Sequence, residues 1–355
     1  MLEKDLWKIF IGRNSKAIPV KDLYDRELFS DSVDFSPCAP KVSEYLLENG
    51  LNPIYPDNKN FALCISHDID TLGTRNHKLK SFFELNGSLK NKVNEGIKLI
   101  KNIFNQEKNG IKTGLSKLHE INKKYNAHSS FYFLALHKGE LDYNYSIKDL
   151  KAVLNETISN HGEIGLHGGF NAYMDQSKLK QEKDLLESSL GKKVIGYRGH
   201  YLKFKAPETW QLLENLNFEY DTTYAFPNHI GFRNGMCHPF RPYDEKQGKF
   251  LNILELPLAI MDTTLTKYMG LSLEDQFTKC KQLIDIANKN KGVLSLLWHN
   301  DNMHGEGLEL YEKVLNYAYE KKAWMPTGKE MVNHWKSKKY DEIQLDILMK
   351  IKGNG

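Results

Sequence analysis

The feature that most constrains the fold of this chain is a series of short apolar runs separated by amphipathic helical stretches. The runs begin at Phe61 and read FALCIS, SSFYFLAL, EIGLH, VIGYRG, FEYDTTY, ILELPLAIM and GVLSLLWH. Helical patterns such as IKDLKAVLNETISN and KLKQEKDLLESSLG lie between several of them. Runs that are apolar on both faces and alternate with helices are typical of parallel strands in an α/β sheet or barrel. The pattern therefore predicts an α/β protein.

Three regions do not show this alternation of apolar runs and helical stretches. Residues 1–58 combine short helical patterns with proline-rich turns, and we expect them to form an N-terminal cap on a barrel that spans 59–335. Within the barrel, segment 76–117 is helical in pattern and carries nine lysines against three glutamates. We expect a helical insertion there, either a solvated helical face or a lid that makes weak contact with anionic headgroups or carriers. Residues 336–355 are expected to form a C-terminal helix or tail.

The composition limits the kinds of binding partner and the cellular compartment that we expect for this protein. With 49 basic and 45 acidic residues the net charge is +4, too small to indicate nucleic-acid binding. The cysteines are far apart, with no CxxC pair, which predicts free thiols and a reducing compartment; they are Cys38, Cys64, Cys237 and Cys280. The N-terminus lacks the continuous apolar region of a signal peptide, and no apolar run approaches the ~18 residues of a membrane span. The expectation is a cytoplasmic protein without a transmembrane segment.

Polar residues follow the apolar runs at their C-terminal ends. FALCIS is followed by His67, Asp68 and Asp70, and EIGLH ends in His167, with Asn171 four residues later. The later runs lead in the same way to Arg198, His200 and Tyr201, to Asp221, to Asp262, and to His299, Asn300 and Asp301. The C-terminal strand ends of parallel barrels and sheets converge with their loops at one rim, where active sites are built. We therefore expect these side chains to share one site.

The residue types in this set indicate a particular chemistry. Asp70 and His167 are suitable ligands for zinc or a similar divalent ion, which lowers the pKa of a coordinated water towards ~7. Asp68 is placed to take a proton from such a water, and His299 to return one to a leaving amine. Arg198 is expected to hold the base in a bidentate pair. These parts predict a metal-assisted hydrolase of an amide or ester.

The order of the motifs SHDID, EIGLHGGFN, YRGHY, ELPLAIMD and LSLLWHN resembles the polysaccharide deacetylase family, carbohydrate esterase family 4, with its NodB-homology domain. The resemblance runs from about Phe61 to about Trp335 and places SSFYFLAL at the family's KATFFV-like strand. It is closest to divergent cytoplasmic members associated with surface-polysaccharide biosynthesis, in which SHDxD and RxHY replace TFDDG and RxPY. The resemblance implies a distorted (β/α) barrel with fewer strands than a full TIM barrel.

The resemblance also implies residue roles. Asp68 would be the general base, His299 the general acid and Arg198 the residue that orients the base. Asp70 and His167 would bind the metal, and the Tyr201 backbone N–H would contribute to an oxyanion hole. The expected substrate-binding set is His200, Tyr201, Leu297, Trp298 and Asp262. In this set Leu297 forms a wall for the acyl methyl, and Trp298 either stacks on a sugar or is a buried wall. Either Asp262 or Glu255 would do the work of the fourth-motif aspartate, which partners the arginine or the terminal histidine.

One position departs from the family pattern, because Asn171 stands where HxxxH has its second histidine. An amide oxygen is a poorer zinc ligand than an imidazole, so an Asp70–His167–Asn171 site would be weak. Three alternatives remain open. In the first, another histidine completes the site, the candidates being His67, His200, His238 and His304. In the second, the site uses fewer protein ligands or a harder metal, with extra water. In the third, metal binding is lost and the protein is inactive.

The function predicted from the sequence is a zinc-dependent hydrolase that removes an acetyl or formyl group from an N-acylated sugar or sugar carrier. One alternative is an amidase that acts on a small non-sugar substrate. The other is a catalytically inactive barrel that binds a saccharide or a partner enzyme.

Overall fold

The computed structural model of the chain describes residues 2–13, 19–30, 35–71 and 115–353. Most of the predicted helical insertion, 76–114, lies outside these ranges, together with the membrane contact expected of it. Residues 115–117 begin helix α3, which spans 115–124. The other helices are α1 (Glu3–Phe10), α2 (Lys41–Glu48), α4 (Lys151–Ser159), α5 (Gln176–Leu190), α6 (Glu208–Asn215), α7 (Leu273–Lys289), α8 (Gly305–Glu320), α9 (Gly328–Ser337) and α10 (Tyr340–Gly353).

The strands form a parallel sheet and, apart from it, one short hairpin. They are β1 (Phe61–Ile69), β2 (Ser129–Leu134), β3 (Glu163–Gly168), β4 (Gly196–Gly199), β5 (Tyr220–Asp221), β6 (Tyr243–Asp244), β7 (Lys249–Phe250), β8 (Leu254–Glu255), β9 (Leu258–Met261), β10 (Val293–Leu297) and β11 (Ala323–Trp324). The sheet order is β8-β5-β4-β3-β2-β1-β10-β9, with β11 paired to β1 and β6-β7 forming the hairpin. Every residue of β1 and β2 is buried, which explains why their sequences are apolar on both faces.

The order of the strands requires the sheet to curl. The end strands β8 and β9 are separated only by Leu256 and Pro257 in the sequence, so they lie at most roughly 11 Å apart. The eight strands of this path would span roughly 34 Å if they lay flat at about 4.8 Å per step. The sheet therefore bends into a barrel that is left open between β8 and β9 in the described part of the chain. The predicted distorted (β/α) barrel is confirmed.

The run ILELPLAIM, one strand-like run in the sequence, forms two strands. Pro257 has no backbone N–H to donate, and the chain leaves β8 at Glu255 and re-enters the sheet in β9, on the other side of the opening. This break carries Asp262, which follows β9, to the neighbourhood of β10.

Helices cover the outside of the barrel. α4, α5, α7 and α8 each connect two parallel strands, and α9 begins with a capping box in which Thr327 and Glu330 exchange hydrogen bonds. α1 and α2 pack against α10, and Phe10 contacts Phe240 at 5.5 Å between ring centroids. The cysteines are all unpaired, as expected. Within the described ranges, no helix has the length and apolar character needed to cross a lipid bilayer.

Candidate metal centre and active site

The C-terminal strand ends surround one cavity of about 600 Å³. The end of β1 contributes Asp68, and Asp70 follows directly after that strand. β3 contributes His167, and the turns after β4 and β10 contribute His200 and His299. Side chains alternate between the two faces of a strand, so Asp68 and Asp70 both point inward. Of the side chains whose position after the strands predicted a shared site, seven line this cavity, namely Asp68, Asp70, His167, His200, Tyr201, His299 and Asp301. Six do not line it, namely His67, Asn171, Arg198, Asp221, Asp262 and Asn300.

Asp70, His167 and His200 form a candidate metal centre. Their ligand atoms all lie within 4.8 Å of one another, and they are the one such group found among the described residues. His167 Nε2 is 3.1 Å and His200 Nε2 is 3.7 Å from Asp70 Oδ1. Ligand atoms bound to one tetrahedral zinc ion at about 2.1 Å lie roughly 3.4 Å apart. The spacing therefore fits a zinc-sized ion.

Hydrogen bonds around the triad leave its inner atoms available. His167 Nδ1 donates to the backbone carbonyl of Arg198 at 3.0 Å, which directs Nε2 toward Asp70. Asp70 Oδ1 is buried and makes no hydrogen bond in the described part of the chain, and His200 Nε2 faces it at 3.7 Å. Buried polar atoms without partners are costly, and a cation between Asp70 and the two imidazoles would satisfy the carboxylate. The residues present fit a divalent ion.

The charge states of the triad also suit a cation. Although burial raises the pKa of Asp70, the His167 ring at 3.1 Å and the positive charge that His200 carries when protonated hold it well below its ordinary value. Burial lowers the pKa of His200 to about 4, so its ring is neutral at neutral pH and free to act as a ligand. Burial also opposes the protonation of His167, but the neighbouring Asp68 and Asp70 raise its pKa above the ordinary value. An ion at this centre would displace the His167 proton.

His200, rather than Asn171, is the third residue of this centre. After β3 the chain makes a tight turn, closed by a hydrogen bond from Ala172 N to Gly169 O of 2.9 Å, which leaves Asn171 exposed and off the cavity wall. His200 instead begins a single helical turn, His200–Leu202, directly after β4. We therefore propose His200 in place of Asn171 as the third ligand, which moves His200 from the substrate-binding set to the proposed metal set.

The other three candidate histidines lie elsewhere. His67 points to the outer face of β1, where its Nδ1 donates to the Trp298 carbonyl at 2.9 Å. His238 is buried and stacks on Trp335 with ring centroids 5.6 Å apart. His304 is exposed at the start of α8. None of the three lines the cavity.

Asp68 is buried beside the metal centre. Its Oδ2 lies 3.6 Å from His167 Nε2 and 3.8 Å from Arg198 Nη1, while its Oδ1 makes no hydrogen bond to the described residues. The expected bidentate pair with Arg198 does not form, because the Arg198 guanidinium donates to Ser66 Oγ at 3.0 Å and stacks on the Tyr132 ring at 5.1 Å. Arg198 therefore acts on Asp68 as a nearby fixed charge.

His299 forms a dyad with Asp262. His299 Nδ1 donates to Asp262 Oδ1 at 2.6 Å, and the same carboxylate accepts the His299 backbone N–H at 3.1 Å and Asn302 Nδ2 at 3.0 Å. Glu255 instead accepts from Trp210 Nε1 at 2.8 Å, away from the cavity. Asp262 is thus the partner of the terminal histidine, and it positions His299 rather than lining the cavity as a substrate contact.

The dyad keeps His299 protonated. Burial alone would lower the pKa of His299, but the Asp262 carboxylate, with Asp70 and Asp68 further away, raises it to about 10. A folded-state pKa above the ordinary value of 6.5 means that the proton on His299 stabilises the folded protein. This contribution is fully present below pH 6.5 and is lost as the pH rises through about 10.

We expect Asp262→Asn to lower the pKa of His299 by roughly 1–3 pH units, because one carboxylate charge in direct contact is removed and burial then dominates. The measurement is an NMR titration of the His299 imidazole in metal-free protein. The fall in unfolding free energy between pH 6.5 and 10 should also become smaller in this variant. A His299 pKa that stays near 10 would show that Asp262 does not control it.

Leu297 is the last residue of β10 and Trp298 follows it, so their side chains point in opposite directions. Leu297 lines the cavity, as expected. Trp298 points outward and packs on Tyr311 with ring centroids 5.7 Å apart, so it is a buried wall and not a sugar-stacking residue. Tyr201 lines the cavity and has a positive φ of 58°.

Several residues that line the cavity belong to none of the sequence motifs. Segment 19–30 contributes Tyr24 and Arg26, the loop before α4 contributes Asp142 and Tyr143, and the turn after β9 contributes Lys267 and Tyr268. These residues lie in loops without periodic patterning, so only the folded structure brings them to the site.

No protein-family model matches the sequence, and no curated protein matches it. Several solved structures are similar. A protein from Mycobacterium smegmatis assigned as a polysaccharide deacetylase is 15% identical, with a TM-score of 0.54 over 82% of this chain and 96% of that one. Puue allantoinase is 17% identical, with a TM-score of 0.57 over 82% and 96%. A Pseudomonas aeruginosa protein assigned as a polysaccharide deacetylase is 15% identical, with a TM-score of 0.54 over 82% and 97%.

These similarities define the class of fold. The chain has the curled, parallel (β/α) barrel of the polysaccharide deacetylases, a fold that the allantoinase shares. The resemblance noted in the sequence motifs is therefore confirmed at the level of the fold. The assignment to a divergent branch of the family stays a prediction.

Proposed function

We propose that this protein is a zinc-dependent hydrolase that removes an N-acyl group, acetyl or formyl, from an amino sugar in bacterial surface-polysaccharide biosynthesis. The observation that carries the proposal is the convergence of three functional groups on one cavity. They are the Asp70–His167–His200 triad, the buried carboxylate of Asp68 and the His299–Asp262 dyad. The deacetylase fold supports the same reaction class.

Each group has a distinct part in amide hydrolysis. When bound to Asp70, His167 and His200, a divalent ion supplies Lewis-acid polarisation and water activation. Asp68 accepts the proton of the attacking water at Oδ1, the oxygen that has no hydrogen bond in the described structure. The Tyr201 backbone N–H donates to the oxyanion that develops on the carbonyl oxygen. His299, with Nδ1 held by Asp262, donates the Nε2 proton to the leaving amine.

The walls of the cavity suit a small acyl group beside a polar body. Leu297 and Met261 supply apolar surface, while Tyr24, Tyr143 and Tyr268 supply rings with hydroxyl groups. Aromatic side chains of this kind can stack on a sugar ring and also bind its hydroxyls. A cavity of about 600 Å³ is large enough for a monosaccharide with its acyl group and part of a carrier.

The proposal is tested by metal content and turnover together. We expect native protein to hold close to one zinc ion per chain by mass spectrometry, and Asp70→Ala and His167→Ala to lose it. The loaded protein is then incubated with a panel of N-acetyl and N-formyl amino sugars, free and carrier-linked, and release of acetate or formate is measured. Absence of metal after attempted reconstitution would refute the proposal.

A second candidate is an amidase that acts on a small non-sugar substrate. It is favoured by the similarity to the allantoinase, whose name gives allantoin, a small cyclic amide, as its substrate. Including such amides in the same panel separates the two functions. The third alternative, an inactive binding barrel, was motivated by Asn171, and the His200 side chain in the triad supports the hydrolase over it.

A further inference from the structure

Segment 19–30, which precedes the barrel in the sequence, reaches the active-site cavity. Arg26 is the residue of this segment that enters most deeply, with 6% of its surface exposed. Its Nη1 donates to the Tyr201 carbonyl at 2.8 Å, a contact between residues 175 positions apart. Its Nε and Nη2 donate to Asp22 Oδ2, and Nη2 also donates to the Tyr268 hydroxyl at 2.5 Å. The guanidinium is therefore fixed on three sides.

The turn that Arg26 contacts has an unfavourable backbone conformation. Tyr201 and Leu202 have φ values of 58° and 53°, and neither is glycine. Non-glycine residues rarely adopt this region, and they persist there only where neighbouring groups hold them. The same turn begins at His200, but Arg26 contacts the Tyr201 carbonyl and not His200, so its contact bears on the Tyr201 backbone.

A second hydrogen bond joins the same two segments, and here the donor belongs to the turn. Lys203 Nζ, at the end of the turn, donates to the Tyr24 carbonyl at 2.7 Å. The rings of Tyr24 and Tyr201 also pack together, with centroids 5.0 Å apart. Two hydrogen bonds and a ring contact thus join the turn after β4 to segment 19–30.

We propose that Arg26 is a positioning residue of the active site, which holds the turn 200–203 in its catalytic conformation. The inference rests on the proposed function, in which the Tyr201 N–H stabilises the oxyanion. Segment 19–30 is then part of the catalytic unit, although the motifs of the barrel do not include it. Arg26 contributes through the Tyr201 carbonyl.

Arg233 offers a matched control. It also anchors segment 19–30, through an ion pair with Glu27 and a hydrogen bond of 3.1 Å from its Nη1 to the Ala225 carbonyl. It does not line the active-site cavity, and among the described residues its contacts are with Glu27, Ala225, Tyr224 and Phe226 rather than with the turn. Arg233→Ala therefore loosens the segment without removing the contact to Tyr201.

The experiment compares Arg26→Ala, Arg26→Lys and Arg233→Ala with the native zinc-loaded protein. We expect Arg26→Ala to lower kcat about 10- to 100-fold, with KM changed less than about threefold, because a small misplacement of a transition-state donor costs this much. Metal content should be unchanged. Arg26→Lys should recover only part of the loss, since an ammonium group lacks the guanidinium fork, and it carries the test if Arg26→Ala does not fold. Arg233→Ala should stay within about twofold of the native kcat.

Equal losses in Arg26→Ala and Arg233→Ala, a change confined to KM, or loss of metal would overturn the inference. Failure of the proposed function has a different signature, which is a native protein without turnover. In that case, amide hydrogen exchange over residues 199–203 tests the positioning role of Arg26. Faster exchange in Arg26→Ala than in Arg233→Ala supports the positioning role, and equal exchange overturns it.

Discussion

Replacing His200 with alanine should remove the metal, whereas replacing Asn171 with alanine should leave it bound. His200 Nε2 lies 3.7 Å from Asp70 Oδ1 within the triad, while Asn171 is exposed in the turn after β3. Loss of one of three protein ligands is expected to weaken zinc binding by at least about 100-fold, more than the loss of an outer hydrogen-bond partner. Chelator competition followed by mass spectrometry of the protein gives the affinity.

Asn171→Ala is the matched control, because it occupies the position that the family motif reserves for a ligand. It should bind zinc as the native protein does. The reverse result, metal lost in Asn171→Ala and kept in His200→Ala, would return the third position to the asparagine and would require the turn after β3 to reorganise around the ion.

Asp68→Asn should abolish most turnover while the protein keeps its metal. The amide is close in size to the carboxylate but cannot accept the proton of the attacking water, and loss of a general base costs about 10²–10⁴-fold in rate. Because Asp68 lies beside the triad without belonging to it, metal content should not change. The measurements are kcat on the best N-acyl substrate and zinc per chain.

Asp221→Asn serves as the control for that variant. Asp221 is another buried carboxyl, at the end of β5; it does not line the cavity, and burial raises its pKa. Its replacement should leave kcat within a few-fold of the native value. If Asp68→Asn retains near-native kcat, a different group takes the proton, and the assignment of the base is wrong.

The barrel fold could be predicted from the sequence, and so could four side chains of the candidate site that stand at strand ends. Asp68, Asp70, His167 and His299 each stand at a strand end, and the position of a strand end can be inferred from a local apolar run. Alternation along a strand also explains why Leu297 faces the cavity and Trp298 does not, a distinction that the local pattern left open.

The remaining parts of the site depend on turns and on distant contacts. Whether His200 or Asn171 faces Asp70 is decided by the geometry of two turns after different strands, which hydrophobic periodicity does not encode. The contact from Arg26 to Tyr201 joins residues 175 positions apart, and nothing in the local sequence of either marks it. The break at Pro257, by contrast, has a clear local cause that the strand-like run obscured.

The separation of the triad residues along the sequence links the proposed metal site to the stability of the folded protein. Asp70 and His200 are 130 positions apart, so an ion held by both links distant parts of one chain. The unfolded chain cannot offer the three ligands together, and a zinc concentration about 1,000 times the dissociation constant would then favour the folded state by about 4 kcal/mol. On the proposed function, zinc scarcity would therefore reduce the abundance of the protein as well as its activity, because the metal-free chain spends more time unfolded and exposed to proteases.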